Sequence, residues 1–139
     1  MFNWHKPADT KPKTLGLLGE EAAREEYKKL GYQIIAANEY NKKGKQLGEI
    51  DFIAVNKDKI IFVEVKTRNI ASNKFGTGAE AVNIYKQRKI LAAVKMYFLR
   101  NRKYFELQPQ IDVCLMDYSE VDKSFKCAKI IANAVEDWS

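Results

Sequence analysis

The chain has 139 residues, of which 46% are hydrophobic and 30% are charged, a composition typical of one globular domain. No apolar run approaches the roughly 18 residues needed to cross a bilayer, so the sequence predicts no membrane segment. Lys and Arg number 24 against 18 Asp and Glu, which gives a net charge of +6. This balance favours a polyanionic partner such as nucleic acid.

The N-terminal residues predict no folded structure. Residues 1–13 are polar and contain Pro7 and Pro12, and they lack the apolar stretch of a signal peptide. We therefore expect a disordered lead-in over 1–13, a single domain over 14–135, and a tail over 136–139. Without a signal peptide, a cytoplasmic location is the expectation.

Histidine and cysteine usage excludes several kinds of site. His5 is the only histidine and lies in the lead-in, and Cys114 and Cys127 stand in no metal-ligand spacing. Serine–histidine catalysis, cysteine–histidine catalysis and a histidine-ligated zinc site therefore have no residues to support them. Carboxylates and lysines must carry any chemistry.

The apolar pattern predicts the element order α-β-β-β-α-β-β. A first helix is expected over Leu15–Leu30, where apolar residues recur at three- and four-residue steps between a capping Thr14 and Gly31. A second helix with an apolar face is expected from Ala79 to about Asn101. Period-two or continuous apolar runs predict strands over Tyr32–Asn38, Leu47–Val55, Ile60–Thr67, Ile111–Tyr118 and Phe125–Ile131. The order indicates an α/β fold, with a mixed β-sheet flanked by helices.

The second and third strands form a hairpin that concentrates charged residues. A four-residue polar turn joins them, and if the residues flanking this turn pair, Asp51 lies opposite Glu64 and Glu49 opposite Lys66. Because side chains alternate between faces along a strand, these four residues should share one face at one end of the hairpin.

Two interpretations of this cluster are open. Acids and a lysine on a strand usually belong to a solvated face. Glu64, however, lies within the apolar run Ile60–Lys66, and two like charges at close range cost free energy unless a cation or a proton lies between them. A salt bridge to Lys66 relieves part of that cost. A divalent cation relieves more, because Mg²⁺ and Mn²⁺ favour carboxylate and carbonyl oxygens and can activate a bound water.

Several motifs, in order along the chain, carry a resemblance to a known family. They are Gly19-Glu20, Ala36-Ala37-Asn38, Gly48-Glu49-Ile50-Asp51, Phe62-Val63-Glu64-Val65-Lys66, Lys86-Gln87 and Ile111-Asp112-Val113. The third and fourth resemble the D…(D/E)-X-K core of the PD-(D/E)XK nuclease superfamily, which includes restriction endonucleases and archaeal Holliday junction resolvases. The whole set is similar to the uncharacterised bacterial YraN-like family. The E-X-K triplet alone is a weak signal, whereas the ordered set is specific.

The resemblance implies a restriction endonuclease-like fold and a Mg²⁺- or Mn²⁺-dependent endonuclease. Its substrate would be DNA rather than RNA, with branched DNA among the candidates. The implied site consists of Asp51, Glu64 and the Val65 carbonyl as metal ligands, Lys66 as the catalytic lysine, and Glu20 as a first-helix acid that helps to hold metal or water. An equal alternative for Glu20 is a solvated glutamate paired with Arg24, four residues on.

Basic and polar residues near these motifs suit contact with a phosphate backbone. The candidate nucleic-acid-binding residues are Lys43, Lys45, Arg68, Lys86, Gln87, Arg88 and Lys89. A solubilising surface is the alternative for this group. Resolvase-like relatives act as dimers, and Trp4, Trp138 and Tyr97 leave room for a homodimer. Two rival functions stay open: a nucleic-acid-binding module that does not cut, and a structural protein with a buried carboxylate–lysine network.

Overall fold

The computed structural model describes residues 13–38, 47, 49–71 and 84–135, and for 84–86 it describes the backbone alone. In these residues the elements are α1 (Leu15–Lys29), β1 (Gln33–Ala37), β2 (Phe52–Val55), β3 (Lys59–Asn69), α2 (Ile84–Arg100), a 3-10 turn (Arg102–Tyr104), β4 (Gln108–Ser119) and β5 (Ser124–Ile131). The order α-β-β-β-α-β-β is confirmed. None of the described helices is long and apolar enough to cross a membrane.

Helix α1 begins and ends where local signals predict. The Thr14 hydroxyl accepts a hydrogen bond from the Leu17 N–H at 3.2 Å, which satisfies one of the first N–H groups of the helix. After the helix, Gly31 adopts a φ of 98°, a left-handed conformation that glycine reaches without a Cβ clash. The predicted helix ends one residue beyond the observed one.

The five strands form one mixed sheet in the order β1-β2-β3-β4-β5. The β1–β2, β2–β3 and β4–β5 pairs are antiparallel, whereas β3 and β4 are parallel. Parallel neighbours need a crossover connection, and α2 lies in the segment that joins these two strands. The expectation of a mixed sheet flanked by helices is therefore confirmed.

Both faces of the central strands are buried, each against a different helix. The α2-face core contains the buried residues Leu47, Ile50, Ile53, Ile60, Phe62, Ile90, Val94, Ile111 and Val135. The α1-face core contains Ala23, Tyr27, Phe52, Ala54, Ile61, Val63, Cys114 and Met116. This two-sided burial explains why the sequence of β3 is almost continuously apolar rather than alternating.

Among the strand boundaries that differ from those expected, two have a clear cause. The second strand begins at Phe52 rather than Leu47, because the preceding backbone turns: the Ile50 N–H donates to the Leu47 carbonyl at 3.1 Å. The third strand instead runs on to Asn69, into a stretch expected to be loop. Its last residues are kept extended by parallel pairing with β4, which continues to the pair Asn69–Tyr118.

Candidate active site

The hairpin register is confirmed from the turn as far as Phe52. β2 and β3 pair over four positions, from Val55–Ile60 to Phe52–Val63, as the turn length predicted. Beyond that point the regular ladder ends, so Glu49 and Lys66 are not register partners of the two strands as expected. Glu49 lies in a turn before β2.

Asp51 nevertheless stays joined to β3 through both its backbone and its side chain. Its N–H donates to the Val63 carbonyl at 2.9 Å, and its Oδ2 accepts a hydrogen bond from the Val65 N–H at 2.8 Å. The Asp51 carboxylate therefore lies against the peptide bond that links Glu64 to Val65. The structure brings Asp51 to the E-X-K segment by a different contact from the regular pairing that was expected.

The two acids are buried and the lysine is half-exposed. Asp51 is 7% exposed and Glu64 is 5% exposed. The Lys66 ammonium lies 3.7 Å from Glu64 Oε2, and the lysine side chain is 37% exposed. Glu64 and Lys66 are two residues apart on β3, so they share the face that carries Phe62 and packs towards α2. Burial strengthens charge interactions, so the contact between the Lys66 ammonium and Glu64 is stronger than it would be in water.

The backbone supplies a third oxygen on the same side. A strand residue presents its N–H and its carbonyl to the same neighbouring strand, and the Val65 N–H points at Asp51. The Val65 carbonyl therefore also points towards the Asp51 side of β3. Two carboxylates and a carbonyl are hard oxygen donors of the kind that Mg²⁺ and Mn²⁺ prefer.

Side chains alone do not complete a metal site in the part of the chain that the structure describes. There, no group of three or more His, Cys, Asp or Glu residues is placed to hold a metal ion. The donor set of Asp51, Glu64 and the Val65 carbonyl contains only two acidic side chains. A small divalent cation on it would keep several water ligands, as Mg²⁺ usually does in proteins.

Asn38 positions Asp51, a role that the sequence did not reveal. Its Nδ2 donates to the Ile50 carbonyl at 2.6 Å, and its Oδ1 accepts from the Leu47 N–H at 3.1 Å. Its own N–H donates to the Asp51 carbonyl at 3.0 Å. In the sequence, Asn38 stands out only as part of a family motif. The available signal was an asparagine directly after a strand, since its side chain can bond nearby backbone in turns.

Glu20 lies on α1, where a close helix–strand contact fixes its position. A Cβ on the preceding Gly19 would meet Thr67 Oγ1 at 2.0 Å, so only glycine allows α1 to approach β3 this closely. Thr67 follows Lys66 and points to the opposite face of the strand. Glu20 is thus placed beside the last residues of β3, and its assignment as a metal or water ligand stays a prediction.

The predicted nucleic-acid-binding residues fall into two groups. Lys43, Lys45 and the Lys86 side chain lie outside the described residues. The other four are described: Gln87 is half-buried on α2, Arg88 and Lys89 are exposed on the same helix, and Arg68 forms an ion pair on β3. Lys89 and Arg100 of α2 line an apolar groove of about 420 Å³, whose other side includes Leu47, Glu49 and Ile53.

Comparison with known proteins identifies the family. The model of the uncharacterised protein family UPF0102 matches residues 19–116. A UPF0102 protein of Caldanaerobacter subterraneus subsp. tengcongensis is 43% identical over 101 residues, which cover 73% of this chain and 77% of the relative. One of Caldicellulosiruptor saccharolyticus is 41% identical over 120 residues, which cover 86% and 95% of the two chains. The chain belongs to the UPF0102 family.

Proposed function

We propose that this protein is a Mg²⁺- or Mn²⁺-dependent endonuclease with a restriction endonuclease-like fold, whose substrate is DNA, including branched DNA. The observation that supports this most is the buried carboxylate pair beside a half-exposed lysine. Asp51 and Glu64 are both less than a tenth exposed, and Lys66 lies 3.7 Å from Glu64 Oε2. Two buried acids and one adjacent ammonium suit a bound cation and a phosphate better than they suit an apolar core.

Each residue would have a separate task. Asp51, Glu64 and the Val65 carbonyl would hold the cation, which supplies a hydroxide-like water and neutralises phosphate charge when bound. The Lys66 side chain reaches solvent while its ammonium stays near Glu64, so it can donate to a phosphate oxygen that enters from outside. Its positive charge would stabilise the negative charge that develops on that oxygen. The net charge of +6 favours the approach of a polyanion.

A structural role is the second candidate, and one observation favours it. Each acid already contacts a protein group: Asp51 Oδ2 accepts from the Val65 N–H at 2.8 Å, and Glu64 lies beside Lys66. A buried carboxylate–lysine network could use these contacts with no metal and no substrate. A nucleic-acid-binding module that does not cut is the other rival, and it differs from the proposal only in lacking cleavage.

The proposal is tested by a cleavage screen with Mn²⁺ on branched DNA, single-stranded DNA and structured RNA. We expect DNA cleavage that falls by about 100- to 1,000-fold in Glu64→Gln and in Lys66→Ala, since both residues would act mainly on the transition state. DNA affinity should stay within a few-fold of the wild type. Matched controls are Asp58→Asn and Lys57→Ala, which change exposed residues of the β2–β3 turn and should cleave normally.

The outcomes separate the three functions. Binding without cleavage in every substrate and metal supports the non-cutting module. Neither binding nor cleavage supports the structural protein. Cleavage by Lys66→Ala would show that the lysine takes no part in the chemistry. Cleavage by Glu64→Gln would contradict the proposed metal site of Asp51, Glu64 and the Val65 carbonyl.

A further inference from the structure

Arg68 continues the row of charged residues that begins at the candidate active site. Glu64, Lys66 and Arg68 alternate along β3 with Val65 and Thr67, which face α1. All three charged side chains therefore lie on the opposite face of the strand. Successive members of the row are two residues apart, which is about 7 Å along a strand. An acid that can bind a cation, an ammonium and a guanidinium therefore follow one another towards the end of β3.

Arg68 is held in one orientation by Asp117. The two residues are paired in register across the parallel β3–β4 ladder. Arg68 Nε donates to Asp117 Oδ1 at 3.1 Å, and its Nη2 donates to Asp117 Oδ2 at 3.0 Å. These hydrogen bonds, together with the negative charge of Asp117, raise the pKa of the Arg68 guanidinium. The side chains of Arg68 and Asp117 are 32% and 22% exposed, so the pair lies at the surface.

The contact with Asp117 uses only part of the hydrogen-bonding capacity of the guanidinium. An arginine side chain has five N–H donors in a planar fork, and Asp117 takes two of them. The remaining donors lie on Nη1 and on the far side of Nη2. A planar pair of N–H groups matches two oxygens of a phosphate, and a side chain already fixed by a protein contact loses little further freedom on binding.

We propose that Arg68, oriented by Asp117, forms a second phosphate-binding subsite, which receives the phosphodiester adjacent to the one at Asp51, Glu64 and Lys66. This inference rests on the proposed function. Asp117 is then a positioning residue, which acts on the nucleic acid only through Arg68. Asp117 then favours DNA binding by orienting Arg68, although its negative charge alone repels a phosphate backbone.

The charge of Asp117 and its orientation of Arg68 have opposite effects on DNA binding, so the direction of the change in affinity in Asp117→Asn tests the proposal. Asp117→Asn raises the net charge by one, so a purely electrostatic effect strengthens DNA binding. If orientation of Arg68 dominates, the same substitution weakens binding of a mixed-sequence DNA by about three- to tenfold at low salt. The control is Asp58→Asn, which removes the same charge from the exposed turn at the opposite end of β3 and should leave affinity unchanged or slightly stronger.

Variants of Arg68 separate orientation from charge. Arg68→Lys keeps the positive charge but not the planar fork, and it should weaken DNA binding about as much as Asp117→Asn does. Arg68→Gln should also make the negative slope of log K against log [salt] less steep by about 0.9, the contribution of one phosphate contact. Asp117→Asn combined with Arg68→Lys should be little worse than either change alone, because both disable one subsite.

A merely structural ion pair predicts different results. Arg68 and Asp117 would then only join the ends of β3 and β4, so Asp117→Asn would lower the melting temperature and leave the DNA affinity of the folded protein unchanged. Unchanged or tighter binding by folded Asp117→Asn overturns the subsite. Failure of wild-type protein to bind DNA at low salt would instead overturn the proposed function itself, so the two failures are distinguishable.

Discussion

Buried carboxylates lie on both sides of the sheet, and their surroundings differ. Asp112 on β4 is 2% exposed, and its hydrogen-bond donors among the described residues are all neutral. Its Oδ2 accepts from the Tyr27 hydroxyl at 2.7 Å, and its Oδ1 accepts from Gln110 Nε2 at 2.9 Å and from the Asn133 N–H at 3.2 Å. Three donors to one carboxylate satisfy a buried charge, and they link α1, β4 and the residues after β5.

The Asp51–Glu64 pair has a different environment. Like Asp112, Asp51 accepts a hydrogen bond from a backbone N–H, in its case from Val65 at 2.8 Å. The peptide that donates this hydrogen bond links Val65 to Glu64, which is a second buried acid. The Lys66 ammonium lies beside Glu64. Burial of an acid is thus a poor guide to function by itself. The informative feature is a second buried acid in the strand segment that Asp51 contacts, because burying two acids costs free energy that folding alone does not require.

Replacing the acid by asparagine should destabilise the protein at Asp112 but not at Asp51. In Asp112→Asn the three donors lose their charged acceptor, and the Tyr27 hydroxyl has to accept a hydrogen bond from the new NH₂ group instead of donating one. We expect a loss of about 2–3 kcal/mol in the free energy of unfolding. Asp51→Asn keeps an acceptor for the Val65 N–H and removes one of two like charges, so the protein without metal should be as stable or more stable. Urea unfolding in a chelating buffer measures both.

If Asp51→Asn is destabilising by a similar amount, the acid pair is a structural network and the comparison fails. Removing one charged member of a buried ion network can cost about 3 kcal/mol or more. A parallel measurement on Asp58→Asn, at an exposed turn position, gives the baseline for a substitution without buried contacts.

Stabilisation of the folded protein by metal should require the acid pair but not the hydrogen bonds of Asp112. A ligand that binds only the folded state adds RT ln(1 + [L]/Kd), about 2.7 kcal/mol at a hundred times Kd. For a domain of this size that is on the order of ten degrees in melting temperature. Millimolar Mn²⁺ should therefore raise the melting temperature of the wild type and of Tyr27→Phe, but not that of Asp51→Asn. An equal rise in all three would indicate non-specific binding.

Asn38 offers a smaller and more selective perturbation of the site. Asn38→Ala removes two hydrogen bonds to the turn before Asp51, so we expect a loss of about 1–2 kcal/mol in stability and a weaker response to Mn²⁺. The matched control is Asn56→Ala. Asn56 Oδ1 accepts from the N–H groups of Asp58 and Lys59 in the β2–β3 turn, at the other end of the hairpin. It should lose similar stability and keep the full Mn²⁺ response.

The elements that the sequence predicted best are those with local signals. The first helix has an apolar repeat, a capping threonine and a terminating glycine, and its start at Leu15 is confirmed. The hairpin register followed from the turn length alone, since pairing must begin beside the turn. The predicted start of β2 was wrong because it depends on Asn38, nine residues before Leu47, whose side chain bonds the backbone of Leu47 and Ile50. Apolar pattern carries no information about such a contact.

The candidate site shows the same limit. Alternation along β3 correctly places Glu64 and Lys66 on one face, and the structure brings Asp51 to that segment. The contact between Asp51 and the Val65 N–H arises where the ladder becomes irregular, which pairing arithmetic does not anticipate. The Arg68–Asp117 pair needs the parallel β3–β4 register. That register depends on a crossover of nearly forty residues between Asn69 and Gln108, and no local rule supplies it.

The smallest expected effect concerns the pH dependence of stability on the Asp112 side. Burial raises the pKa of the Tyr27 hydroxyl, and so do the negative charge of Asp112 and the hydrogen bond to it. The folded-state pKa is therefore above the unfolded value of about 10. Below pH ~10 tyrosine is protonated in both states, and its contribution to stability is fully present. Above that pH the unfolded chain loses the proton while the folded chain keeps it, so the free energy of unfolding falls.

The contribution of Tyr27 should fall by up to about 1.4 kcal/mol per pH unit above pH ~10. Tyr27→Phe costs about 1 kcal/mol at neutral pH through the lost hydrogen bond, and it lacks this pH dependence. The stability difference between wild type and Tyr27→Phe should therefore be constant up to pH ~9.5 and then decrease. Burial also raises the pKa values of Cys114 and Cys127, but their effects are common to both proteins and cancel in the difference. A difference that stays constant to pH ~11 would mean that Tyr27 reaches solvent, and Asp112 would then lack the enclosed neutral environment that sets it apart from Asp51 and Glu64.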